Sequence, residues 1–258
     1  MDRVLSAWTE ALREFVGDDA GRSVLVSGGG RRAGIAEDVA RPAASVAKLW
    51  IAMAVHDAAA VGELDPSSTV QVGNLPTSRY PSVLDSFEPE HHLTLAEIAG
   101  LSLATSDNRT AQHLVDILGL SSVEECARSH GCTRTALLSG FDDVSLDTGR
   151  VRLSTTSARD SELAFETVMS VTRYSQLRRS LRSSLFNARI LARLPDHIIK
   201  SHKSGSLDGV ANDVGIVHAV RGDLTLSFLT EDQTDTWATS ADIARCSREC
   251  FDAWETFR

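Results

Sequence analysis

The chain predicts a mixed α/β fold of the α+β type: an antiparallel five-stranded sheet flanked by the terminal helices, with an all-helical lobe inserted. Three observations predict it. Strand-like runs bounded by turn residues occur only near the two ends, two before residue 40 and three after residue 197. Helical periodicity fills the middle, and one helical pattern opens the chain while another closes it. On this reading residues 1–40 and 193–258 build the sheet lobe and residues 41–192 build the helical lobe. A chain of 258 residues is long enough to bury a substantial core in this way.

Taken in order, Asp2 to Phe15 sets Val4, Leu5, Trp8, Leu12 and Phe15 on one helical face. Ser23 to Ser27 reads as a strand, Gly28-Gly29-Gly30 as a turn and Arg31 to Val39 as the returning strand. The run after Pro42 is apolar on nearly every face, the pattern of a helix buried on all sides. Gly62 to Phe87, rich in Pro, Ser and Asp, predicts a long irregular connection. Thr94-Leu95-Ala96-Glu97 is a capping box that opens a helix to about Thr105. Ser106-Asp107-Asn108 breaks the periodicity, Arg109 to Leu118 resumes it, and Ser121 to Glu125 predicts another capped start. Gly131 to Ser154 reads as loop, with helices over Ser157 to Ser170 and Tyr174 to Ala192. Ile198 to Ser206, Asp213 to Val220 and Asp223 to Thr230 are the last three strands, and Ser240 to Phe257 closes the chain as an amphipathic helix.

Composition excludes some classes. A net charge of −9 argues against a nucleic-acid partner, which requires a basic face. The N-terminal residues show no basic region followed by a long apolar run, and no apolar run matches the thickness of a bilayer, so the expectation is a cytoplasmic protein with no membrane contact. Cys126 and Cys132 bracket His130, and Cys246 and Cys250 are four apart, but neither spacing matches the hairpin pairs of structural zinc sites. Free thiols, no metal and no cofactor are expected.

One lysine stands inside the apolar helix. The chain has three lysines, Lys48, Lys200 and Lys203, against 23 arginines, so each lysine marks a place where a tunable amine rather than a fixed cation is wanted. Burying a charged ammonium costs several kcal/mol unless it is paired or deprotonated. Ser45 and Lys48 are i and i+3 on one helical face, which brings the amine towards the hydroxyl.

Three short motifs therefore stand in order: Ser45-Val46-Ala47-Lys48, Ser106-Asp107-Asn108 and Lys203-Ser204-Gly205. Each is weak alone, and together they form the set of serine β-lactamases and penicillin-binding proteins. With the flanks Leu93 to Asn108 and His202 to Gly215, the chain resembles the class A β-lactamase family over almost its whole length. The resemblance implies a two-lobed fold, Ser45 as nucleophile, Lys48 as its base, Ser106 as proton relay and Lys203 as the second cation. It implies that Asn108 holds the substrate amide or Lys48, that the Ser45 and Ser206 amides form the oxyanion hole, and that Lys203, Ser204 and Ser206 receive a substrate carboxylate beside Gly205. Tyr80 falls where the family has an aromatic cleft wall, and Arg189 where some members supply a carboxylate-binding arginine.

The resemblance stops at Gly140 to Arg150, a short segment with neither the glutamate nor the asparagine that the family uses to activate deacylating water. Asp142, Asp143 and Asp147 are the acids available there, with Glu162 and Glu166 further on. The expectation is a serine hydrolase, amidase, esterase or acyltransferase acting on a small acyl substrate that carries a carboxylate, with weak β-lactamase activity. The alternatives are a true β-lactamase using a loop aspartate, and a silent binding module. Oligomeric state is not legible.

Overall fold

The computed structural model describes residues 2–141 and 153–257. Its sheet has the order β2-β1-β10-β9-β8 and is antiparallel throughout, built from β1 (Arg22–Gly28), β2 (Arg31–Ile35), β8 (Ile199–Leu207), β9 (Val210–Ala219) and β10 (Gly222–Thr230). The first and last thirds of the chain meet because β1 pairs with β10, Arg22 opposite Thr230. At the β1–β2 turn Gly29 and Gly30 both have positive φ, and a Cβ at Gly29 would lie 2.6 Å from the Trp254 ring.

Helices α1 (Arg3–Val16) and α8 (Thr236–Thr256) cover one face of the sheet. Asp2 and Asp235 cap them by accepting from the free amides of the first turn. The core beneath is apolar and aromatic: Trp8 lies 5.7 Å from Trp254, Phe15 lies edge-on to Phe228 at 5.1 Å, and the Trp8 indole donates to Cys250 O at 3.0 Å. All four cysteines are free and buried.

The opposite face carries the larger core. Helix α2 (Lys48–Ala60) runs through it with every residue from Lys48 to Val55 buried, the all-round burial that its apolar sequence predicts. Around it lie α3 (Leu95–Ala104), α4 (Asn108–Leu118), α5 (Leu120–Ser129), α6 (Ala158–Ser170) and α7 (Ser175–Arg182). Short ladders tie the connections down: β3 (Arg41–Pro42) and β6 (Ala136–Leu137) flank β7 (Ser154–Thr156), and β4 (Thr69–Gln71) pairs with β5 (His92–Thr94). Among the described residues no helix is long and apolar enough to cross a membrane.

Several expected boundaries shift. The capping box at Thr94 and Glu97 forms as read, whereas α5 starts after Gly119 rather than at Ser121. The expected Tyr174 to Ala192 helix ends at Arg182, because Leu185 N donates to Ala104 O at 3.1 Å and draws the chain onto the end of α3. Leu177, Leu181 and Leu185 keep helical spacing, but only the first two are buried; Leu185 is exposed.

Candidate active site

Ser45 lies in a single tight turn, Ala44–Ala47, that leads into α2. This turn is fixed from three sides. Ala43 N donates to Ser154 O at 2.9 Å, the buried Asn212 side chain donates to Pro42 O at 2.8 Å, and Gly205 of β8 packs on it directly. A Cβ at Gly205 would lie 3.0 Å from Ser45 N and 2.9 Å from Ala43 O, so only glycine lets the strand approach the nucleophile's amide. Ala44 has φ +49° and Ser106 φ +57°. Two non-glycine residues in the left-handed region, each at a cost of about 1–3 kcal/mol, adjoin the reacting groups.

The three motifs converge. Lys48 Nζ donates to Ser106 O and, at 2.7 Å, to Asn108 Oδ1, with Ser106 Oγ at 3.5 Å. Lys203 Nζ donates to Ser106 Oγ at 2.9 Å and to Ser204 O at 2.7 Å. The Ser106 hydroxyl thus stands between two amines that are both fully buried. Asp107 is structural: it caps α4 through Thr110 N and accepts from Ser82 Oγ at 2.5 Å and Val83 N at 3.1 Å, pinning the loop that carries Tyr80.

Neither lysine touches a carboxylate among the described residues. Burial first, and then the charge of Lys203, hold the Lys48 ammonium well below the usual lysine range, against a smaller pull from Asp107. Burial lowers Lys203 to about 7, with Asp213 opposing and Arg189 adding to the effect. A neutral Lys48 has two N–H bonds and one lone pair. The two hydrogens have acceptors in Ser106 O and Asn108 Oδ1, which leaves the lone pair to take a proton. The geometry directs Lys48 to Ser106 and Asn108 rather than into the direct Ser45 hydrogen bond that the i, i+3 spacing suggests.

Ser45, Ser106, Asn108, Ser204, Gly205 and Ser206 all line one cavity of about 580 Å³, and Tyr80 stands on its wall. Arg189 is displaced from it. Its guanidinium donates to Gly205 O at 2.9 Å, Asn212 O at 2.6 Å, Ser240 Oγ at 3.1 Å and Ser206 Oγ at 2.6 Å, so it reaches the cavity through two of its lining residues, Gly205 and Ser206. The segment carrying Arg189 is braced by a buried pair: His202 Nδ1 lies 2.9 Å from Asp213 Oδ1, its Nε2 lies 3.2 Å from Asn187 Oδ1, and Asp213 Oδ2 accepts from Ile190 N at 3.1 Å.

A model of the beta-lactamase enzyme family matches residues 6–254. The chain belongs to the beta-lactamase enzyme family. Among solved structures, this family member is similar to a beta-lactamase from Sphaerobacter thermophilus DSM 20745, with a TM-score of 0.83, 24% identity and 98% of each chain covered. It is similar to a representative of class A beta-lactamase from Bacteroides cellulosilyticus DSM 14838, with a TM-score of 0.85, 21% identity and coverage of 97% and 98%. A point mutant of PBP-A, solved as an acyl-enzyme complex with penicillin G, aligns with a TM-score of 0.81, 19% identity and 98% of each chain covered. A search of curated proteins finds no match.

Within this beta-lactamase family member, sequence reasoning missed the apolar part of the cleft. Phe141 lies with its ring centroid 4.8 Å from Lys48 Nζ, and Leu153, Phe186 and Leu207 line the cavity with it. Phe141 and Leu153 fall on bends and Leu207 on a strand end, where no periodicity marks them, and Phe186 falls in irregular chain beyond the end of α7. Of the candidate deacylating acids, Asp142, Asp143 and Asp147 lie outside the described residues, and Glu162 is buried in an ion pair with Arg32.

Proposed function

We propose that this chain is an acyl-serine hydrolase. Ser45 Oγ bonds to an amide, ester or β-lactam-like carbonyl carbon and gives its proton to neutral Lys48. Ser45 and Ser206 N–H groups stabilise the oxyanion, each donor being worth about 10²–10³ in rate. Ser106 then passes a proton to the departing nitrogen or oxygen as its bond to carbon breaks, with Lys203 holding the hydroxyl. The single observation that carries this reading is the Ser106 hydroxyl held between two buried amines, 2.9 Å from one and 3.5 Å from the other.

Slow release of the acyl group is part of the proposal. The polar partners of Lys48 among the described residues are a hydroxyl, a backbone carbonyl and an amide, and Phe141 covers it. The penicillin G acyl-enzyme of the PBP-A mutant, on the same fold, supports a lasting adduct. The test is incubation with a reactive penicillin followed by intact mass and peptide mapping. A one-to-one adduct on Ser45, absent from Ser45→Ala, is expected; an unlabelled protein or a labelled Ser45→Ala variant rejects the reading.

A further inference from the structure

We propose that the acyl group taken up by Ser45 presents a bulky, apolar and uncharged arm to the cleft wall, an aromatic or medium-length aliphatic group. This rests on the acyl-serine reading above and names the substrate class of that site. The cavity of about 580 Å³ beside Ser45 has an apolar wall of Tyr80, Pro81, Phe141, Leu153, Phe186 and Leu207. Tyr80 and Phe186 remain 44% and 49% exposed, so two aromatic side chains meet water on the wall of a reactive cavity. Covering that surface with an apolar acyl group releases the water and contributes binding energy in proportion to the area removed.

Both aromatic residues belong to held segments. The loop after Tyr80 is tied to Asp107 through Ser82 and Val83, and Arg109 fixes the same loop through Asp85 at 2.9 Å and Pro76 O at 2.7 Å. Phe186 follows Leu185, whose amide is bonded to Ala104 O. The two residues thus flank the turn at Thr105 to Asp107, and the wall is built before a ligand arrives. Asp208, exposed, is the one acidic or basic side chain among the described lining residues, and it disfavours an anionic acyl group. Any carboxylate on the substrate belongs instead beside Ser204 and Ser206, next to Lys203.

The test uses four p-nitrophenyl esters with acetyl, hexanoyl, phenylacetyl and hemisuccinyl groups, each rate normalised to that ester's hydrolysis by hydroxide. Ser45 Oγ bonds to the carbonyl carbon, its proton passes to Lys48, and the carbon–oxygen bond breaks with its electron pair leaving on nitrophenolate, so dye release and intact mass report the same step. Hexanoyl and phenylacetyl are expected to acylate about ten-fold or more faster than acetyl, and hemisuccinyl more slowly than hexanoyl. Tyr80→Ala and Phe186→Ala are expected to bring the phenylacetyl-to-acetyl ratio down towards one. Adducts on Ser45 that form with no preference for the apolar groups, or a preference that survives both substitutions, overturn this inference alone. No Ser45 adduct with any of the four overturns the acyl-serine reading and this inference with it.

Discussion

Helix α2 carries an ionisable group shielded from water towards each end, Lys48 fully buried and Asp57 partly buried, and the two solve the desolvation problem in opposite ways. At the far end Asp57 accepts from Tyr174 Oη at 2.5 Å, Arg173 Nε at 2.6 Å, His130 Nε2 at 2.9 Å and Cys126 Sγ at 3.4 Å. Burial pulls its carboxyl up, but the four donors together outweigh burial and hold it below the usual carboxylate range. At the near end Lys48 has a hydroxyl, a carbonyl and an amide for polar partners among the described residues, faces a second lysine, and has its ammonium pushed down. A buried charge with matched partners stabilises a fold; one left without a countercharge changes its protonation state, and that is what a base requires.

The largest expected effect breaks the near end. Lys48→Met should lower the rate of Ser45 acylation by about 10²–10⁴ while raising the melting temperature by a few degrees, since a near-isosteric apolar side chain removes a buried amine that touches no carboxylate among the described residues. Calorimetry and an acylation time course check both halves. Asp57→Ala should do the reverse: it strands Arg173, Tyr174 and His130, costs about 2–3 kcal/mol and lowers the melting temperature by roughly 5–10 °C. Acylation of the folded Asp57→Ala protein at 25 °C should stay within about two-fold of the parent. If Asp57→Ala abolished labelling of folded protein, the division between the two ends would fail.

A pH series sharpens the contrast. Lys203 has a folded value of about 7, below its unfolded value of about 10.4. Between these values the unfolded chain binds more protons, so this group's contribution to stability improves as pH rises through the window, and its penalty is full below 7. The stability gained in Lys203→Met should therefore be greatest near pH 6 and shrink towards pH 10, read from urea melts of both proteins. Asp57, also lowered, has a slope of the same sign in a more acidic window, but its contribution is favourable: it is present above the unfolded carboxylate value and is lost only as pH falls through the lower folded one. The Asp57→Ala deficit should accordingly stay nearly flat from pH 6 to about 9. The smallest effect is expected at the brace of the Arg189 segment, where Asn187→Ala should raise the half-saturating substrate concentration for acylation by about two- to ten-fold and leave the limiting rate near parent.

What could be read from the chain follows from how far apart the interacting residues lie in it. The five strands, the buried helix and the Thr94 cap depend on neighbours within one turn or one strand, and Ser45, Lys48, Ser106 and Lys203 stand in short motifs whose chemistry is visible in the letters. The Asp57 centre was not legible, because its partners come 69 to 117 residues later and none of them lies in a motif. Phe186 was hidden for a different reason. The Leu177, Leu181, Leu185 spacing continues a helical pattern that tertiary contact with the end of α3 overrides, so a residue read as helix is a cleft wall. Arg189 stands where the resemblance implies a carboxylate-binding arginine, and its guanidinium is engaged by the backbone of β8 and β9 and by the Ser206 hydroxyl, contacts that no local pattern announces.

The proposed function requires Ser45 to take an acyl group and keep it. An intact-mass time course after brief exposure to a reactive penicillin, followed by removal of the free reagent, measures both. The predicted result is one adduct per chain on Ser45, formed with neutral Lys48 as base and persisting well beyond the time needed to form it. The contradicting results are no adduct at all, or steady consumption of the penicillin with unmodified protein at every time point.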